Sequence, residues 1–574
     1  MSFIPLRTRH LGEEQVLCVQ DTGQFFRTAP PFLARLVDEQ LSANDDAFLT
    51  GEGHFLHDGD ALGQAAYLYG LAERADHAGP LDYLILVPTL RCNLSCSYCQ
   101  VSRAGIHQPG FDWSDATLEA VLALLDGLPG ERIKIEFQGG EPTLRPDLLR
   151  MVIQRCQRFG ERQFVICTNL QTVDDEILAL FDHPELYIST SLDGDLLTHR
   201  RQRTATTAAT DQFLANLERV ITRYGAEKIS ALPTVDPLAP PPIDTLIDSY
   251  AGLGLNSIFL RPINYQGFAR KRHRDSREQS ESWRAYHEAF VRALIARNWA
   301  DRSRVIEETY TSICLRRIFQ PGTDRHVDLR NPNPLGQDYV VIDHDGLVYP
   351  TDEARMLSRS GVIDLAIGDV RSGWTGERRD LLNAHSSNFD DPACQRCAYQ
   401  PYCGRDIVDD LARYGRIDVP RLDTEFCRRH RHLCQLQFLV GEPVAEGADH
   451  LRLRHRHQCP VHHRRQRHHH GRLDQHARRR HGHPGIGDQQ RRRGDDLLGI
   501  GDHHQRHRHR HQRHVEQCHH QRDHHQRRHD QRRQVRHPGE CRAGGPEHHG
   551  YDRRRDRRHD APDHRGGRLH HHGR

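Results

Sequence analysis

The sequence predicts an α/β protein built around an open, partial (β/α)6 barrel. Apolar runs of strand length alternate with helix-period segments through six repeats. Regular alternation of this kind favours a parallel sheet with right-handed crossovers. The runs are Leu81 to Leu90, Arg132 to Gln138, Gln163 to Thr168, Leu186 to Leu192, Lys228 to Val235 and Ser257 to Pro262.

The segments between the runs supply helices with one apolar face. In the first, Leu118, Val121, Leu122 and Leu125 recur at helical spacing, and comparable faces follow the second and fourth runs. Such faces cover a central sheet. Because the sites of parallel barrels form at the carboxyl ends of the strands, functional residues are expected in the loops that follow each run.

The rest of the chain divides around this barrel, which we place at residues 81–270. Residues 1–80 predict a small α+β cap with a helix from Pro31 to Leu41, serving either as a structural lid or as a peptide-binding unit. Residues 271–335 predict a helical linker and 336–434 a cysteine-rich extension. Residues 435–574 form a low-complexity His/Arg-rich tail.

The tail has an unusual composition. After residue 441 there is no Ser, Thr, Lys, Asn, Phe, Trp or Met, and 30 of the 44 histidines lie there. Such a segment cannot bury enough apolar area to offset its conformational entropy, so disorder is predicted. A metal-binding His tract and an Arg-rich nucleic-acid arm are alternatives, but out-of-frame translation of GC-rich DNA accounts best for the missing residue types.

Composition also indicates the compartment. Most of the 15 cysteines lie in or near two clusters of metal-like spacing, which fits a reducing cytoplasm better than a disulfide framework. The N-terminus lacks the pattern of a secretory signal, and no run of 18 apolar residues exists to span a membrane. The net charge of +2 gives no reason to expect nucleic-acid binding.

The first cysteine cluster directly follows the first strand. Cys92, Cys96 and Cys99 are spaced C-x3-C-x2-C in LVPTLRCNLSCSYCQ. A structural zinc ion or an ordinary cubane cluster takes four protein ligands, so three thiolates leave one metal position open to a small molecule. Three buried structural cysteines or half of a zinc site is the alternative, although no fourth ligand is near.

This loop, with Tyr98 before its third cysteine, resembles that of the radical S-adenosylmethionine (SAM) enzymes. The resemblance implies a partial TIM-like barrel, a 4Fe-4S cluster on the three cysteines, and SAM chelated to the fourth iron. QGGEPTL, after the second strand, matches the family's GGEP motif. It implies that Gly139 and Gly140 let the backbone approach SAM and that Glu141 helps to accept its ammonium group.

The same resemblance assigns further SAM contacts at the strand ends. Ser191, with Ser189 as second choice, would contact the ribose or carboxylate, and Arg203 the carboxylate. Backbone at Leu260 would meet adenine. The cofactor-binding set is therefore Tyr98, Gly139, Gly140, Glu141, Asn169, Ser189, Ser191, Arg203 and Leu260. Asp193 and Gly194 read as an ordinary turn, and Cys156 and Cys167 as core residues.

The second cluster follows two strands predicted to join at Asp345-Gly346. Its cysteines, Cys394, Cys397, Cys403 and Cys427, resemble those of the SPASM extension of peptide-modifying radical SAM enzymes. The resemblance implies one auxiliary 4Fe-4S cluster on these four thiolates. The family's other auxiliary cluster lacks ligands, because Thr351 and Ile407 stand where cysteines are expected and Cys314 is left alone. A zinc site on the same four thiolates is the alternative.

Together these segments look like the His-Xaa-Ser system radical SAM maturases of B type. The implied function is reductive cleavage of SAM to a 5′-deoxyadenosyl radical that modifies a ribosomally made peptide or small protein. An external electron donor and a second radical SAM maturase are the candidate partners. A radical SAM enzyme on a small molecule and a non-catalytic partner of a second maturase are the alternatives. The sequence assigns no catalytic base.

Overall fold

A computed structural model of the chain describes residues 2–56, 58–322 and 326–440. The predictions for the tail from residue 441 onward, namely its disorder and its metal-binding or nucleic-acid alternatives, lie outside the described residues. Within the described ranges, no helix combines the length and the apolar character needed to cross a bilayer.

The N-terminal region contains a three-stranded antiparallel sheet and three helices. The sheet order is β2-β3-β4, and β1 pairs separately with β5. The elements are β1 (Ser2–Phe3), β2 (Leu6–His10), β3 (Val16–Gln20), β4 (Phe25–Thr28), α1 (Pro30–Val37), α2 (Ala43–Gly51), β5 (Phe55–Leu56) and α3 (Ala61–Arg74).

The central region alternates strands and helices in the order that the sequence predicts. All six expected strands are present, although the fifth and sixth are each broken in two. The elements are β6 (Tyr83–Leu86), β7 (Arg91–Cys92), β8 (Ala104–Gly105), α4 (Asp115–Gly127), β9 (Arg132–Phe137), α5 (Pro146–Arg155), β10 (Glu161–Cys167), α6 (Asp175–Phe181), β11 (Leu186–Ser191), α7 (Leu196–His199), α8 (Thr207–Tyr224), β12 (Ile229–Leu232), β13 (Thr234–Val235), α9 (Ile243–Gly252), β14 (Ser257–Ile258) and β15 (Arg261–Pro262).

A linker of helices leads to the C-terminal region. The elements are α10 (Ala269–Arg272), α11 (Ser280–Ala300), β16 (Glu307–Glu308), α12 (Thr309–Phe319), β17 (Tyr339–Ile342), β18 (Leu347–Tyr349), α13 (Asp352–Arg359), β19 (Gly368–Asp369), β20 (Gly373–Trp374), α14 (Gly376–Asn383), α15 (Pro392–Gln395), α16 (Ile407–Tyr414) and α17 (Glu425–Val440).

One nine-stranded sheet organises the molecule, in the order β12-β11-β10-β9-β6-β17-β18-β19-β20. Every pairing from β12 to β17 is parallel, and the remaining strands are antiparallel. The predicted α/β class and parallel sheet are therefore confirmed. The sixth strand does not join this sheet, since β15 pairs with β13 and β14 with β16.

The apolar faces pack as their spacing indicates. Side chains on β11 alternate between the buried core and the less buried inner face of the sheet. The outer face forms one large apolar core with the flanking helices, which includes Val121, Leu149, Phe181 and Leu217. Burial of this face leaves the inner face and the carboxyl ends of the strands for polar residues.

The C-terminal region contributes strands to the same sheet, which the sequence does not reveal. β17 pairs in parallel with β6, residue Tyr339 opposite Tyr83. The hairpin predicted at Asp345-Gly346 is present, and Gly346 has the positive φ of 87° that the turn requires. This pairing carries the cysteine-rich extension to the edge of the barrel.

The N-terminal elements pack against the cysteine-rich extension. Phe25 lies in one apolar cluster with Tyr399, Tyr402 and Phe438, and the Tyr402 hydroxyl donates to the Gly23 carbonyl at 2.7 Å. The last described helix, α17, continues to Val440, past the predicted start of the tail at residue 435, and buries Phe438 in this cluster. Composition alone does not show that this end of the helix is packed.

Candidate metal centres

The three-cysteine loop lies at the carboxyl end of the first barrel strand. Cys92 closes β7, which pairs with β8 across the loop, and it is buried. Cys96 and Cys99 are partly exposed, and none of the three forms a disulfide. The loop therefore presents three unoxidised thiols where sites of parallel barrels form.

A polar network fixes the backbone on which the loop begins. Asp112 accepts hydrogen bonds from the Thr89 hydroxyl at 2.6 Å and from the Arg91 Nε at 2.8 Å. The Thr89 hydroxyl also accepts from the Arg91 backbone N–H at 3.0 Å. These charge-assisted bonds hold the segment immediately before Cys92 in one conformation.

The GGEP turn packs directly on this segment. The Gly140 N–H donates to the Thr89 carbonyl at 3.0 Å, and the Glu141 N–H donates to the Arg91 carbonyl at 2.8 Å. A Cβ atom on Gly139, which has φ +136°, would lie 2.2 Å from the Thr89 carbonyl oxygen. The glycines therefore let the GGEP turn come close to the cysteine loop, and the approach of their backbone to SAM stays a prediction.

Glu141 joins the ends of the second and third strands. Its buried carboxylate accepts from the Asn169 N–H at 2.7 Å and from the Thr143 hydroxyl at 2.7 Å. Burial raises the pKa of Glu141, while the Asn169 N–H and the other donors lower it. The side chain therefore positions these strand ends, and its bond to the SAM ammonium group stays a prediction.

Asn169 links the third strand to the cysteine loop. Its amide Nδ2 donates to the Asn93 side-chain oxygen at 2.7 Å and lies 3.7 Å from the Cys92 sulfur, which also faces the Leu94 N–H at 3.4 Å. Burial raises the pKa of Cys92 to about 12, with Glu141 next in effect. N–H groups directed at the sulfur favour its anionic form and suit a thiolate ligand.

Tyr98 connects the loop to the fourth strand. Its buried hydroxyl donates to the Asp193 carboxylate at 2.7 Å and accepts from Arg203 at 2.8 Å. Asp193 also accepts from the Thr234 N–H at 3.0 Å. The reading of Asp193 as an ordinary turn residue is wrong, since the side chain is buried and joins three segments.

Arg203 faces the cysteine loop. Burial lowers its pKa, but Tyr98, Cys96 and Asp193 outweigh that effect and raise the pKa well above its ordinary value. Arg203 in turn lowers the pKa of Cys96, although burial raises it more. The guanidinium is thus close to one predicted iron ligand and bonded to Tyr98, in addition to any contact with a SAM carboxylate.

The remaining predicted SAM contacts divide between two environments. Ser189 and Ser191 lie on the less buried inner face of β11, with Ser189 opposite Cys167. Leu260 is buried in the core, and its N–H donates to the Glu308 carboxylate at 3.2 Å. The backbone N–H of Leu260 is therefore engaged within the protein, and the contact of this backbone with adenine stays a prediction.

The inner face of the sheet carries a polar group that sequence reasoning missed. Glu136 accepts from the Tyr83 hydroxyl at 2.6 Å, from Gln138 Nε2 at 2.7 Å and from the Cys167 thiol at 3.4 Å. Cys167 is therefore not a core residue, whereas Cys156 is one. Alternation along β9 could have revealed this group, since it places Glu136 on the other face of the strand from the buried isoleucines.

Two carboxylates of the C-terminal region are paired with arginines. Asp343 is fully buried and paired with Arg359 at 2.7 Å, and Asp352 is paired with Arg355 at 2.8 Å. Asp343, His344 and Asp345 have ligand atoms close enough for one metal ion. The arginine on Asp343 already balances its charge and disfavours a cation there.

The second cysteine set also comes together. Cys394 lies on α15, Cys427 lies in the first turn of α17, and Cys397 and Cys403 lie on the loop between. Burial raises the pKa of Cys394 to about 12, and Asp391, Cys427 and Cys397 also act on it. Their mutual influence shows that thiols distant in sequence share one site.

A fifth cysteine lies beside this set. Cys434, two helical turns after Cys427, is buried, and burial raises its pKa well above the ordinary value, with Cys314, Cys397 and Cys427 adding to the rise. Sequence spacing gave no reason to place it there. Cys314, the cysteine that remains of the other auxiliary ligand set, lies on α12, which packs against the helix of Cys434.

The positions of the missing family cysteines are filled by structural residues. The Thr351 hydroxyl caps α13 by accepting from the Ala354 N–H at 3.0 Å. Ile407, at the start of α16, is buried in an apolar cluster with Leu357 and Leu335. Helices α13 and α16 pack together at this place, so these two positions supply no thiolate for the other auxiliary cluster.

Neither thiol set of the described residues has the spacing of a single zinc site. In the described ranges, no three cysteine thiols lie within 4.8 Å of one another. Thiolates around one tetrahedral zinc ion, with Zn–S of about 2.3 Å, lie roughly 3.8 Å apart. In a cubane each thiolate binds a different iron, so its ligands lie farther apart.

A comparison with protein families identifies the domain that contains the cysteine loop. Residues 86–232 match the model of the radical SAM superfamily. The chain therefore contains a radical SAM domain, whose limits enclose the cysteine loop, the GGEP turn and the Tyr98 network. SAM and a 4Fe-4S cluster are the cofactors that go with this domain.

Similar proteins cover parts of the molecule. The fold is similar to that of native anSMEcpe with bound AdoMet, with a TM-score of 0.50 at 14% identity over 62% of this chain and 97% of that chain. An uncharacterized protein of Methanocaldococcus jannaschii is 28% identical over 117 residues, 20% of this chain and 39% of its own length. A probable GTP 3′,8-cyclase of Methanothermobacter marburgensis is 31% identical over 107 residues, 19% of this chain. The chain spans 33% of that relative's length.

Proposed function

We propose that this chain is a cytoplasmic radical SAM enzyme that modifies a ribosomally made peptide or small protein. The observation that carries the proposal is the position of Cys92, Cys96 and Cys99 at the carboxyl end of β6, held by the GGEP turn and by Tyr98. Three thiols in a protein site with no fourth cysteine in the loop suit a cluster with one open iron.

The chain's own residues would bind, orient and shield the reactants. When bound, the cluster and SAM supply a 5′-deoxyadenosyl radical that abstracts hydrogen from the substrate. Asn169 and the Leu94 N–H orient the Cys92 sulfur, while Arg203 offsets negative charge beside Cys96. The buried Tyr98 and Glu141 networks keep this end of the barrel rigid and exclude water.

The peptide substrate is inferred from the second cysteine set. Cys394, Cys397, Cys403 and Cys427 would hold one auxiliary 4Fe-4S cluster of the SPASM type, which accompanies peptide modification in the family the motifs resemble. Within that family we propose the His-Xaa-Ser system maturases of B type. An external electron donor and a second radical SAM maturase are the partners that follow.

A small-molecule substrate is the second candidate. Sequence similarity to a probable GTP 3′,8-cyclase over 107 residues favours it. The two candidates place the same chemistry at the same loop and differ in what enters the barrel.

The test is anaerobic reconstitution of the full chain, followed by assay of 5′-deoxyadenosine with the candidate peptide, with GTP and with neither. We expect about eight irons per chain, as two cubanes require, and SAM cleavage that increases with the peptide. Cys96→Ala is expected to abolish SAM cleavage, whereas the core variant Cys156→Ala retains it.

Each of the other possible results would contradict one part of the proposal. Stimulation and conversion of GTP alone would favour the small-molecule function. Four irons with one zinc would leave the radical SAM site and reject the auxiliary cluster. A chain that binds the peptide but cleaves no SAM would be a non-catalytic partner, and SAM cleavage by Cys96→Ala would refute the site itself.

A further inference from the structure

A buried arginine lies within the auxiliary cysteine set. Arg421 opens the short 3-10 turn Arg421–Asp423, between α15, which carries Cys394, and α17, which carries Cys427. Its residue exposure is only 5%. Arginine is rarely buried unless its charge is compensated, so its surroundings indicate what it does.

One side of the guanidinium is paired and the other is not. Nη1 donates to the Asp410 carboxylate at 3.1 Å, and both side chains are almost completely buried. The Phe426 ring lies 5.1 Å from the guanidinium carbon. Nη2 is buried without a hydrogen-bond partner among the described residues. A buried donor left unsatisfied costs about 1–3 kcal/mol, and more when charged, so a partner for Nη2 is expected.

The groups that act on Arg421 identify that partner. Burial lowers its pKa, and Asp410, Cys403, Cys394 and Cys427 raise it, in that order. Three of these four groups are thiols of the auxiliary set. Arg421 likewise lowers the pKa of Cys427, although burial raises it more. The turn that carries Arg421 contacts both α15 and α17, the helices of Cys394 and Cys427, so this residue lies beside the thiol set.

We propose that Arg421 is a positioning residue for the auxiliary centre, directing its Nη2 N–H at the sulfur atoms and raising the reduction potential of the cluster they hold. The inference rests on the proposed function, which places a cluster on these thiolates. Hydrogen bonds to sulfur and net charge are among the factors that set iron–sulfur potentials. A cluster gains one negative charge on reduction, so an adjacent cation stabilises the reduced form.

A purely structural role for Arg421 makes a different prediction. If it only compensates Asp410, its replacement lowers stability and leaves the potential unchanged. The potential is therefore the measurement that separates the two roles, because it does not depend on catalytic activity.

The experiment uses the full chain with Cys92, Cys96 and Cys99 replaced by alanine, so that only the auxiliary cluster is reconstituted. Its midpoint potential is measured by redox titration monitored by electron paramagnetic resonance. Arg421→Gln is expected to shift the reduction equilibrium at least tenfold toward the oxidised form, about 59 mV for one electron. Arg421→Lys keeps the charge but loses the second donor, and a smaller shift in the same direction is expected.

Arg416→Gln is the matched control, because Arg416 is exposed and paired with Asp418 at the surface. An unchanged potential in a folded, iron-loaded Arg421→Gln chain overturns the proposal. If that variant does not fold, an unchanged potential in Arg421→Lys overturns the assignment of Nη2 as the donor. Absence of iron in the parent chain with the three alanines would instead refute the auxiliary cluster of the proposed function.

Discussion

Replacement of Gly140 by alanine is expected to displace the cysteine loop. The new Cβ atom would lie 2.3 Å from the carbonyl oxygens of both Leu90 and Arg91. These are backbone atoms of the segment that leads into Cys92, so neither can rotate aside as a side chain would. The strain must therefore move the loop, the GGEP turn or both.

The expected magnitude follows from these contacts. Overpacking in a well-packed site costs about 1–3 kcal/mol, and two backbone clashes place Gly140→Ala at the upper end of that range. Separation of the turn from the loop also weakens the bonds from the Gly140 and Glu141 N–H groups, each worth about 1 kcal/mol. A loss of about 3–5 kcal/mol in the free energy of unfolding is expected.

Urea denaturation of the metal-free chain measures the stability, and iron per chain after reconstitution measures the loop geometry. We expect a lower iron content at the radical SAM loop together with the loss of stability. Gly127→Ala is the control, because Gly127 ends α4 with no atom within 4 Å of the added Cβ. Wild-type stability and iron content in Gly140→Ala would refute the close packing of the turn on the loop.

Four further variants test other parts of the structure. Tyr98→Phe leaves the buried Asp193 without its 2.7 Å donor and is expected to cost about 1–3 kcal/mol in urea denaturation; no loss would contradict the network. Cys427→Ala is expected to lose the auxiliary iron and Cys434→Ala to retain it, by iron analysis; the reverse would make Cys434 the ligand. Burial, and after it the charge of His432, lowers the pKa of His287 from 6.5 to about 3. The stability that neutral His287 contributes is therefore complete above pH 6.5 and is lost as pH falls toward 3. Between pH 7 and pH 5, the free energy of unfolding of His287→Phe is expected to fall by about 2 kcal/mol less than that of the wild type; equal losses would show that His287 does not titrate as its burial implies.

Local patterns were sufficient to predict the α/β class, the strands and the position of the cysteine loop. Strand length and helical spacing depend on near neighbours in sequence, and so does the C-x3-C-x2-C loop, whose three thiols lie within eight residues. For this reason the six strands, the loop at the first strand end and the hairpin at Gly346 could be read directly.

The contacts that these residues make within the protein could not be predicted. Gly139 and Gly140 allow a close approach, but the sequence does not show that the cysteine loop is what comes close. Glu141 and Leu260 stay predicted SAM contacts, and the structure adds their intramolecular partners, Asn169 and Glu308. In each case the partner lies on a different segment, which one sequence does not place.

The sequence by itself determined the alternation of strands and helices, the two thiol sets and the chemistry they imply, since these depend on residue type and short-range spacing. Only the tertiary structure decided that β17 extends the barrel sheet beside β6 and that Tyr98 meets Asp193 and Arg203. It also decided that Arg421 is buried against Asp410 on a turn that contacts the helices of Cys394 and Cys427. These are long-range contacts, chosen by which buried polar groups satisfy one another once the core has formed.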